Sequence, residues 1–365
     1  MWAVGIGIIL LYNLLIFYIG YNIWVWFKNI SGDRKSIKII FWVVLVIFAY
    51  SFIFSRWLDE SIFFTWLGAI WLSLFYFLLL LLPVANIAVF LRRFTNIEKE
   101  KFIRWTGYTL IVVIICSFFF GMFNAYSPQD KTYQIHIPKQ VEGKKSLKII
   151  MASDMHFGDI SGAGQAKKLV AYINGQKPDL VLFPGDIIDD DVTPFLEEGI
   201  PDILKQIDAP VYASLGNHDR DEADLVKIFN NSGMKVLDDD VLNLPEGITL
   251  VGRKDKGYQD VLRAELSTLM KQVDLSKPVF LLEHQPYDLD IAEKNGVDLI
   301  LSGHTHRGQV APGNLITNRI FENDWGYLKK GELQSIVSSG YGVWGLPLRI
   351  GTRSEIVKIN VTFEP

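Results

Sequence analysis

The stretch that decides the fold is residues 148–156, which read Lys148-Ile-Ile-Met-Ala-Ser-Asp-Met-His156. After Lys148, residues 149–152 form an apolar run typical of a buried β-strand, and an Asp and a His follow where the strand would end. Residues two apart at a strand end project to the same side, so Asp154 and His156 can face one point. Carboxylate with neutral imidazole suits Mn, Fe and Zn. The stretch therefore predicts a strand that delivers metal ligands at its carboxyl end.

Four further apolar runs end in the same way, in residues able to bind a metal. The residues that follow these runs are Gly185-Asp186, Gly216-Asn217-His218-Asp219, Glu283-His284 and Gly303-His304-Thr305-His306. Of the six histidines in the chain, only His136 lies outside these clusters. Because open α/β sheets place ligand sites beyond the carboxyl ends of their strands, the five clusters predict one shared site.

The rest of this half of the chain has the pattern of an α/β domain, predicted to cover residues 147–365. Strands are predicted at 146–152, 180–183, 211–215, 249–252, 279–282, 299–301, 335–338 and 356–361. Helices are predicted at 165–173, 193–206, 222–231, 260–272 and 288–294. Residues 126–146 are predicted to be a polar linker, with an extra edge strand at 133–137.

The clusters contain enough ligands for two metal ions. Asp186 can bridge two metals because each carboxylate oxygen can bind one, and Asn217 offers a carbonyl oxygen. The candidate ligands are Asp154, His156, Asp186, Asn217, His284, His304 and His306. Two metals about 3.5–4 Å apart can activate a hydroxide and neutralise charge in a phosphoryl displacement. His218 adjoins a ligand and could protonate the leaving oxygen or stabilise the phosphoryl charge.

Each motif alone is ordinary, since Gly-Asp often follows a strand and a lone histidine is more often a core residue. In this order, however, Asp-x-His, Gly-Asp-x-x-Asp, Gly-Asn-His-Asp, a lone His and Gly-His-x-His resemble the motifs of the calcineurin-like metallophosphoesterases. The resemblance covers about residues 147–361 and is strongest to bacterial membrane-linked members with an N-terminal transmembrane region. It implies a four-layer αββα sandwich and metal-dependent hydrolysis of a phosphoester.

The resemblance also implies how the ligands divide between two divalent metal ions, and it leaves Mn, Fe, Zn and Ni open as their identity. One ion would take Asp154, His156, Asp186 and His306, and the other would take Asp186, Asn217, His284 and His304. His218 would assist at the phosphate, and Asp219 would orient it. Asp189 would support a ligand rather than bind a metal itself.

Two basic positions depart from the family pattern, and a third is a weak match to it. Arg307 stands where the relatives have glycine, and it would either grip a phosphate bidentately or point to solvent. The segment 252–255, Gly-Arg-Lys-Asp, would rim the cleft or be solvated, and we favour solvation. Arg349 is a weak match to an arginine found late in the relatives.

Residues 1–125 differ sharply from the rest and are predicted to lie in a membrane. They hold eight of the ten tryptophans and carry ten Lys/Arg against five Asp/Glu. Four apolar runs are interpreted as spans, since a span needs about 20 apolar residues. They lie near residues 2–27, 39–54, 62–90 and 105–123.

The basic residues predict the orientation of these spans. The segment between the first and second runs carries Lys28, Arg34, Lys35 and Lys38, and that between the third and fourth carries Arg92, Arg93, Lys99, Lys101 and Arg104. The segment between the second and third runs has only Arg56, beside two acidic residues. The positive-inside rule then places both termini, and the metal-binding domain, outside the cytoplasm. This depends on four spans, since three or five would reverse it.

Several function classes are disfavoured by composition. Residues 126–365 carry 26 Lys/Arg against 35 Asp/Glu, which argues against nucleic-acid binding. No ionisable residue falls in the middle of a predicted span, which argues against a transporter. Cys116 is the single cysteine, so no disulfide can form within the chain. Oligomeric state is not predicted by the sequence.

The sequence therefore predicts a membrane-anchored dimetal phosphoesterase with an extracytoplasmic domain. The favoured substrate is a phosphoester or pyrophosphate on a lipid or an envelope polymer, because the enzyme would be tethered where these occur. One alternative is hydrolysis of soluble extracytoplasmic phosphoesters, with the helices as a mere anchor. Another is a non-catalytic metal-dependent scaffold or membrane sensor, which the intact ligand set disfavours.

Overall fold

The structure, a computed structural model, describes residues 2–57, 61–141, 145–221, 223–256 and 263–363. The chain divides into two compact units. The first comprises Met1–Gly121 with Gly345–Pro347, and the second comprises Met122–Trp344 with Leu348–Pro365. Each unit is described separately below.

The first unit is built from long apolar helices. The helices are α1 (Trp2–Ser31), α2 (Lys35–Ala49), α3 (Ser51–Trp57), α4 (Ile62–Leu91) and α5 (Lys99–Tyr126), with a 3₁₀ turn at Arg92–Phe94 after α4. Within the described residues, three stretches are long and apolar enough to cross a membrane. They are Val4–Ser31, Ile62–Phe94 and Lys99–Tyr126.

The prediction of four uninterrupted spans was wrong at the second one, which the structure breaks into α2 and α3. The break follows from a side chain on α1, because the Tyr12 hydroxyl donates to the Ala49 carbonyl at 2.6 Å. In an unbroken helix that carbonyl would accept from the N–H of Ile53, which instead donates to Tyr50 O. Tyr50 leaves the helical region, with φ −105° and ψ 6°. At 15 residues, α2 alone is about 22 Å long, shorter than a hydrocarbon core of about 30 Å.

The second unit is an α/β domain with two sheets. Its strands are β1 (Gln129–Ile137), β2 (Ser146–Met151), β3 (Leu180–Pro184), β4 (Val211–Ser214), β5 (Met234–Val236), β6 (Asp240–Asn243), β7 (Thr249–Gly252), β8 (Val279–Leu282), β9 (Leu299–Ser302), β10 (Gly326–Lys330), β11 (Leu333–Val337) and β12 (Glu355–Phe363). Its helices are α6 (Ala163–Gln176), α7 (Thr193–Glu197), α8 (Ile200–Leu204), α9 (Leu225–Asn231), α10 (Leu266–Leu269), α11 (Leu289–Lys294) and α12 (Gly313–Ile320). Two 3₁₀ turns lie at Met270–Gln272 and His306–Gly308.

The strands form two six-stranded sheets whose central strands are parallel. The first sheet has the order β1-β12-β2-β3-β4-β5 and the second has the order β10-β11-β9-β8-β7-β6. In the first, β2, β3 and β4 are parallel neighbours, and in the second β8 and β9 are. Because these five strands are followed by the candidate ligands, the topology sets those ligands side by side.

Alternation along β2 explains how the layers pack. Ile149 and Met151 lie in the core between the two sheets, whereas Ile150 faces the helices on the outer side. Helices α6 to α9 pack on that outer face, and α10 and α11 pack on the outer face of the second sheet. Each fully buried aliphatic side chain contributes about 1.5–3 kcal/mol to this packing. The predicted four-layer αββα sandwich is confirmed.

Several elements differ from their predicted bounds. The predicted helix at 193–206 is two short helices, because Gly199 adopts a left-handed φ of 68° between them. The predicted linker contains all of β1, which pairs in parallel with β12 over nine residues. The starts of two predicted helices, at residues 222 and 260–262, lie outside the described residues. Strands β5, β6 and β10 and helix α12 were not predicted.

Candidate metal centre

All seven candidate ligands lie where the five central strands end, in two groups. In the first group, the Nε2 atoms of His156 and His306 are 3.0 Å apart. His306 Nε2 lies 3.5 Å from Asp154 Oδ1. These three side chains are buried and place one ligand atom each within 4.8 Å of one another. The arrangement could hold one metal ion.

The second group surrounds the Asn217 carbonyl oxygen. Asn217 Oδ1 lies 2.7 Å from His304 Nδ1 and 3.2 Å from His284 Nε2. The other ring nitrogen of His284, Nδ1, lies 2.9 Å from the Pro184 carbonyl. Donation to that carbonyl fixes the tautomer that leaves Nε2 as a ligand.

Asp186 lies between the two groups. Its Oδ2 is 3.0 Å from His284 Nε2 and 3.6 Å from His156 Nε2. Its Oδ1 accepts a hydrogen bond from the backbone N–H of His218 at 2.8 Å. The sequence predicts one carboxylate oxygen for each metal, but the structure turns the same oxygen toward both groups.

The ligands occupy strained backbone conformations at sharp turns. Five of the seven have φ between 44° and 71°, namely Asp154, His156, Asp186, His304 and His306. Non-glycine residues rarely adopt this region, and each instance costs about 1–3 kcal/mol. Two glycines make room, since a Cβ on Gly303 would clash with the Asp154 carboxylate and one on Gly216 would clash with Asp186. Strain concentrated on ligands indicates that the fold is organised around this site.

The charges of the site favour a bound cation. Burial opposes the charged form of His284, but the attraction of Asp186 and the hydrogen bond that His284 donates to it outweigh burial and raise the pKa of His284 to about 10. Burial, with repulsion from His284, lowers the pKa of His304 to about 3. Burial, with repulsion from His156, lowers the pKa of His306 well below its usual range. Metal ligation requires neutral imidazole, which His304 and His306 therefore supply.

One buried oxygen shows that the residues fit a metal. Asp154 is fully buried, and burial raises the pKa of its carboxyl. Its Oδ1 accepts the backbone N–H of His304 at 2.7 Å, whereas Oδ2 has no hydrogen-bond partner among the described residues. A buried polar atom without a partner costs about 1–3 kcal/mol, and a cation beside Asp154 would remove that cost. Both groups also offer the mixed nitrogen and oxygen donors that Mn, Fe and Zn accept.

Asp190 contacts the ring of His218. His218 Nδ1 lies 3.0 Å from Asp190 Oδ1, which also accepts from Arg220 Nε at 2.7 Å. Burial opposes ionisation of Asp190, but the hydrogen bonds from His218 and Arg220 prevail and lower its pKa to about 2. Asp190 is therefore a carboxylate at neutral pH and can hold the imidazole by Nδ1.

The predicted role of Asp219 in orienting His218 stays a prediction, and the hydrogen bonds of its carboxylate are with the backbone. Its Oδ1 accepts from the backbone N–H groups of Ile187 and Ile188 at 2.7 and 2.9 Å. Its Oδ2 accepts from the N–H of Gly216 at 2.8 Å. Both carboxylate oxygens of Asp219 accept hydrogen bonds from the backbone. Because the donors lie in the turn after β3 and in the turn after β4, Asp219 holds these two turns of the site together.

Two further side chains support the histidine ligands. Asp189 Oδ1 lies 3.2 Å from His156 Nδ1, the placement expected of a group that supports a ligand. Arg349 is fully buried, with Nη2 3.1 Å from His306 Nδ1 and donating to Gly342 O at 2.8 Å. The weak sequence match of Arg349 thus corresponds to a residue in contact with a candidate ligand.

The other two basic positions point away from the predicted roles. Arg307 stacks on the Trp325 ring, with its guanidinium carbon 3.8 Å from the ring centroid. Arg253 is only 5% exposed and donates to Glu283 at 3.0 Å, and Arg263 also pairs with Glu283. The prediction that this segment is solvated was therefore wrong for Arg253, because Glu283 gives it a buried partner.

The sequence did not reveal the residue that flanks His218. The Trp344 ring lies 5.6 Å from the His218 ring, centroid to centroid, and remains 54% exposed. The side chain of Gln309 holds the backbone of Trp344 by two hydrogen bonds. It donates to Trp344 O at 2.8 Å and accepts from Trp344 N at 3.0 Å. A tryptophan in a loop carries no sequence signal for such a position.

The fold and this site define a phosphoesterase-type metal centre, and comparison with known proteins names the family. A model of the calcineurin-like phosphoesterases matches residues 147–308. A metallophosphoesterase of Aquifex aeolicus is 31% identical, over 65% of this chain and 92% of that protein. The chain belongs to the calcineurin-like phosphoesterase family, as the motifs predicted. Membership supports metal-dependent hydrolysis of a phosphoester.

Other relatives are longer than the matched region. A metallophosphoesterase of Helicobacter pylori is 33% identical over 64% of this chain, and the match spans 64% of that protein. A "Transmembrane protein with metallophosphoesterase domain" of Danio rerio is 28% identical, over 70% of this chain and 62% of that protein. This chain, in its described residues, has three helices long and apolar enough to cross a membrane.

Proposed function

We propose that this chain is a membrane-anchored phosphoesterase that uses two divalent metal ions to hydrolyse a phosphoester or pyrophosphate bond. One observation carries the proposal, the position of Asp186 Oδ2 within 3.0 Å of His284 and 3.6 Å of His156. An oxygen that faces two groups of ligands can bridge two metal ions. The intact ligand set also disfavours a non-catalytic scaffold.

The ligands divide between the two ions according to the two groups. The first ion would be held by Asp154, His156, Asp186 and His306, and the second by Asp186, Asn217, His284 and His304. When bound, the ions would supply Lewis-acid activation of water and neutralise charge on the phosphoryl oxygens. The mixed donor set accepts Mn, Fe, Zn or Ni.

His218 would handle the proton of the leaving group. Asp190 accepts from Nδ1, so Nε2 is the atom left to meet the substrate. His218 can donate a proton from Nε2 to the departing oxygen while Asp190 holds the ring by Nδ1. Donation by Arg220 to the same Asp190 oxygen keeps the carboxylate in place.

We propose that the substrate is a phosphoester on a lipid or an envelope polymer. The chain itself supports this, because only Ser127 and Pro128 separate α5 from β1. Two residues extend to at most about 7 Å, which tethers the domain to its membrane helices. Hydrolysis of soluble phosphoesters is the competing function, in which the helices serve as an anchor alone.

We also propose that the domain lies outside the cytoplasm. The two strongly basic segments, around Arg34 and around Arg104, belong on the cytoplasmic side by the positive-inside rule. They share one side only if α2 and α3 together traverse the bilayer between α1 and α4. The 23 residues from Lys35 to Trp57, at about 1.5 Å per residue, approach the required length despite the break at Tyr50.

The direct test is an assay of the full chain in detergent after reconstitution with Mn, Fe, Zn or Ni. A matched panel would pair a lipid phosphomonoester, a lipid phosphodiester and a lipid pyrophosphate with soluble esters bearing the same phosphoryl groups. Metal-dependent turnover that is higher on the lipid members supports the proposal. Turnover confined to soluble members favours the competing function, and no turnover with any metal contradicts both.

A further inference from the structure

Helix α12 exposes its apolar side chains to solvent, whereas an ordinary surface helix exposes its polar ones. Leu315, Ile316 and Ile320 are 65%, 59% and 56% exposed, whereas Thr317 on the opposite side donates to the Asp324 carboxylate at 2.8 Å. At about 100° per residue, the three aliphatic side chains fall within an arc of about 140°. A helix on a soluble domain normally turns such an arc toward the core.

The three most exposed large apolar side chains among the described residues of the domain all lie on this helix. Among the described residues from 129 to 363, the four most exposed large apolar side chains are Leu315, Ile316, Ile320 and Trp344. Gln309 lies in the segment before α12, and its side-chain amide forms two hydrogen bonds with the backbone of Trp344. Exposed apolar side chains collected in one place mark an interaction surface, whereas scattered ones do not.

Both ends of α12 are attached to candidate metal ligands. At its start, Gly313 packs so closely on Gly308, two residues after His306, that a Cβ on Gly308 would clash with it. At its end, the Phe321 ring lies 5.9 Å from the His304 ring. An eight-residue helix is about 12 Å long, and both ends of this one lie beside the loop that carries His304 and His306.

We propose that α12 is an interfacial helix, whose Leu315, Ile316 and Ile320 enter the surface of the bilayer that holds the helices of this same chain. The sequence Gly-Asn-Leu-Ile-Thr-Asn-Arg-Ile has no acidic residue, and Arg319 lies within the apolar arc. Its long side chain can extend to lipid phosphates while the aliphatic groups sit below them. The two-residue connection between α5 and β1 keeps that bilayer close to the domain. No such connection would hold a soluble protein partner near α12.

The inference deepens the proposed function, because a helix pinned to His304 and His306 would bring the metal centre to the level of lipid headgroups. Interfacial helices bury their apolar face about 5–10 Å into the headgroup and acyl boundary. Phosphoesters of membrane lipids lie at that depth. A substrate in solution would gain nothing from such a helix.

Lipid contact can be measured without any assay of hydrolysis. Ile316→Cys and, as a matched exposed position, Leu275→Cys would each be labelled with a fluorophore in a full chain carrying Cys116→Ala. The chain would be placed in phosphatidylcholine nanodiscs containing spin-labelled lipid. We expect quenching at 316, stronger with the spin label near the headgroup than at the chain end, and little quenching at 275. Equal quenching at the two positions, or shielding of 316 by a second copy instead of lipid, would overturn the inference.

A second readout separates this inference from the proposed function. The triple variant Leu315→Gln, Ile316→Gln, Ile320→Gln should lose about tenfold or more in turnover of a lipid phosphoester in bilayers. Its turnover of a soluble aryl phosphoester should be unchanged, which also reports that it has folded. Equal turnover of the lipid substrate by variant and parent would overturn the inference. If the parent cleaves soluble esters alone, the lipid-substrate proposal fails, and the quenching result still decides whether α12 contacts lipid.

Discussion

The Nε2 atoms of His156 and His306 approach to 3.0 Å, although 150 residues separate them in the chain. His156 follows β2 of the first sheet and His306 follows β9 of the second, so the contact joins the two sheets at their carboxyl ends. The other ring nitrogen of His156 lies beside Asp189, which directs Nε2 toward His306. Two sheets thus converge on one point, which is how a sandwich fold assembles a metal centre from distant sequence.

His218→Ala should retain both metals and lower turnover by about 10²–10⁴-fold, the usual contribution of a general acid or base. The loss should shrink on substrates with good leaving groups such as nitrophenolate, since these need no proton. The measurement is turnover across a series of aryl phosphoesters, with metal content by elemental analysis. An equal loss across the series would assign His218 to charge stabilisation, and loss of metal would make it a ligand.

Asp190→Ala and Asp219→Ala should have opposite signatures. Without Asp190 the His218 ring loses its Nδ1 partner, so turnover should fall while the melting temperature stays close to that of the parent. Without Asp219 three backbone N–H groups lose their acceptor, so unfolding should be easier by about 3 kcal/mol or more. Thermal unfolding and turnover measured on both variants check this. A large loss of stability in Asp190→Ala would remove its assignment as the orienting residue.

Gly303→Ala should displace the Asp154 carboxylate and weaken metal binding. The added methyl group has no room beside that carboxylate, and overpacking of this kind costs about 1–3 kcal/mol. Gly175→Ala is the matched control, because nothing lies within 4 Å of its Cβ position in α6 and alanine favours a helix by about 0.5–1 kcal/mol. Metal affinity by titration should fall in Gly303→Ala only. Equal affinity in the two variants would show that the clash is relieved elsewhere.

The orientation predicts that a protease added to intact cells or spheroplasts reaches residues 126–365. A C-terminal reporter that is active only outside the cytoplasm should also give signal. The reason is the distribution of basic residues, nine in the two segments assigned to the inside against one in the segment between them. A reporter active only in the cytoplasm serves as the control, and signal from it would reverse the orientation.

The sequence predicted those features that depend on local pattern. We could predict β2 and the ligands after it because an apolar run and an Asp-x-His motif are both short-range signals. The break at Tyr50 could not be predicted, since it depends on the hydrogen bond from the Tyr12 hydroxyl to Ala49 O, 37 residues away. Asp190 was likewise hidden in a run of three aspartates, among which only the fold selects the partner of His218. The outward face of α12 contradicts the rule by which amphipathic helices are interpreted, and such exceptions mark functional surfaces.

The left-handed backbone of the ligands could not be predicted either. The sequence predicts a regular strand end at Asp154 and His156. Their φ values of 51° and 44° instead result from contacts with other loops. Asp154 N donates to Gly185 O, and Tyr341 N donates to Ser153 O. These partners come from the turn after β3 and the loop after β11, so the local conformation is set by tertiary structure.

Asp186→Ala gives the most direct test of the two-metal centre. Its carboxylate alone faces both groups of ligands, so the variant should lose metal from both and should lack hydrolytic activity. Asp202→Ala, at a surface aspartate paired only with Lys205 among the described ion pairs, is the matched control and should retain both. The measurement is metal stoichiometry of the purified full chain by elemental analysis. We expect two ions per chain in the parent and control, and a larger loss in Asp186→Ala than in any other single ligand variant. Unchanged stoichiometry in Asp186→Ala would contradict the bridging carboxylate, and fewer than two ions per chain in the parent would contradict the two-metal centre.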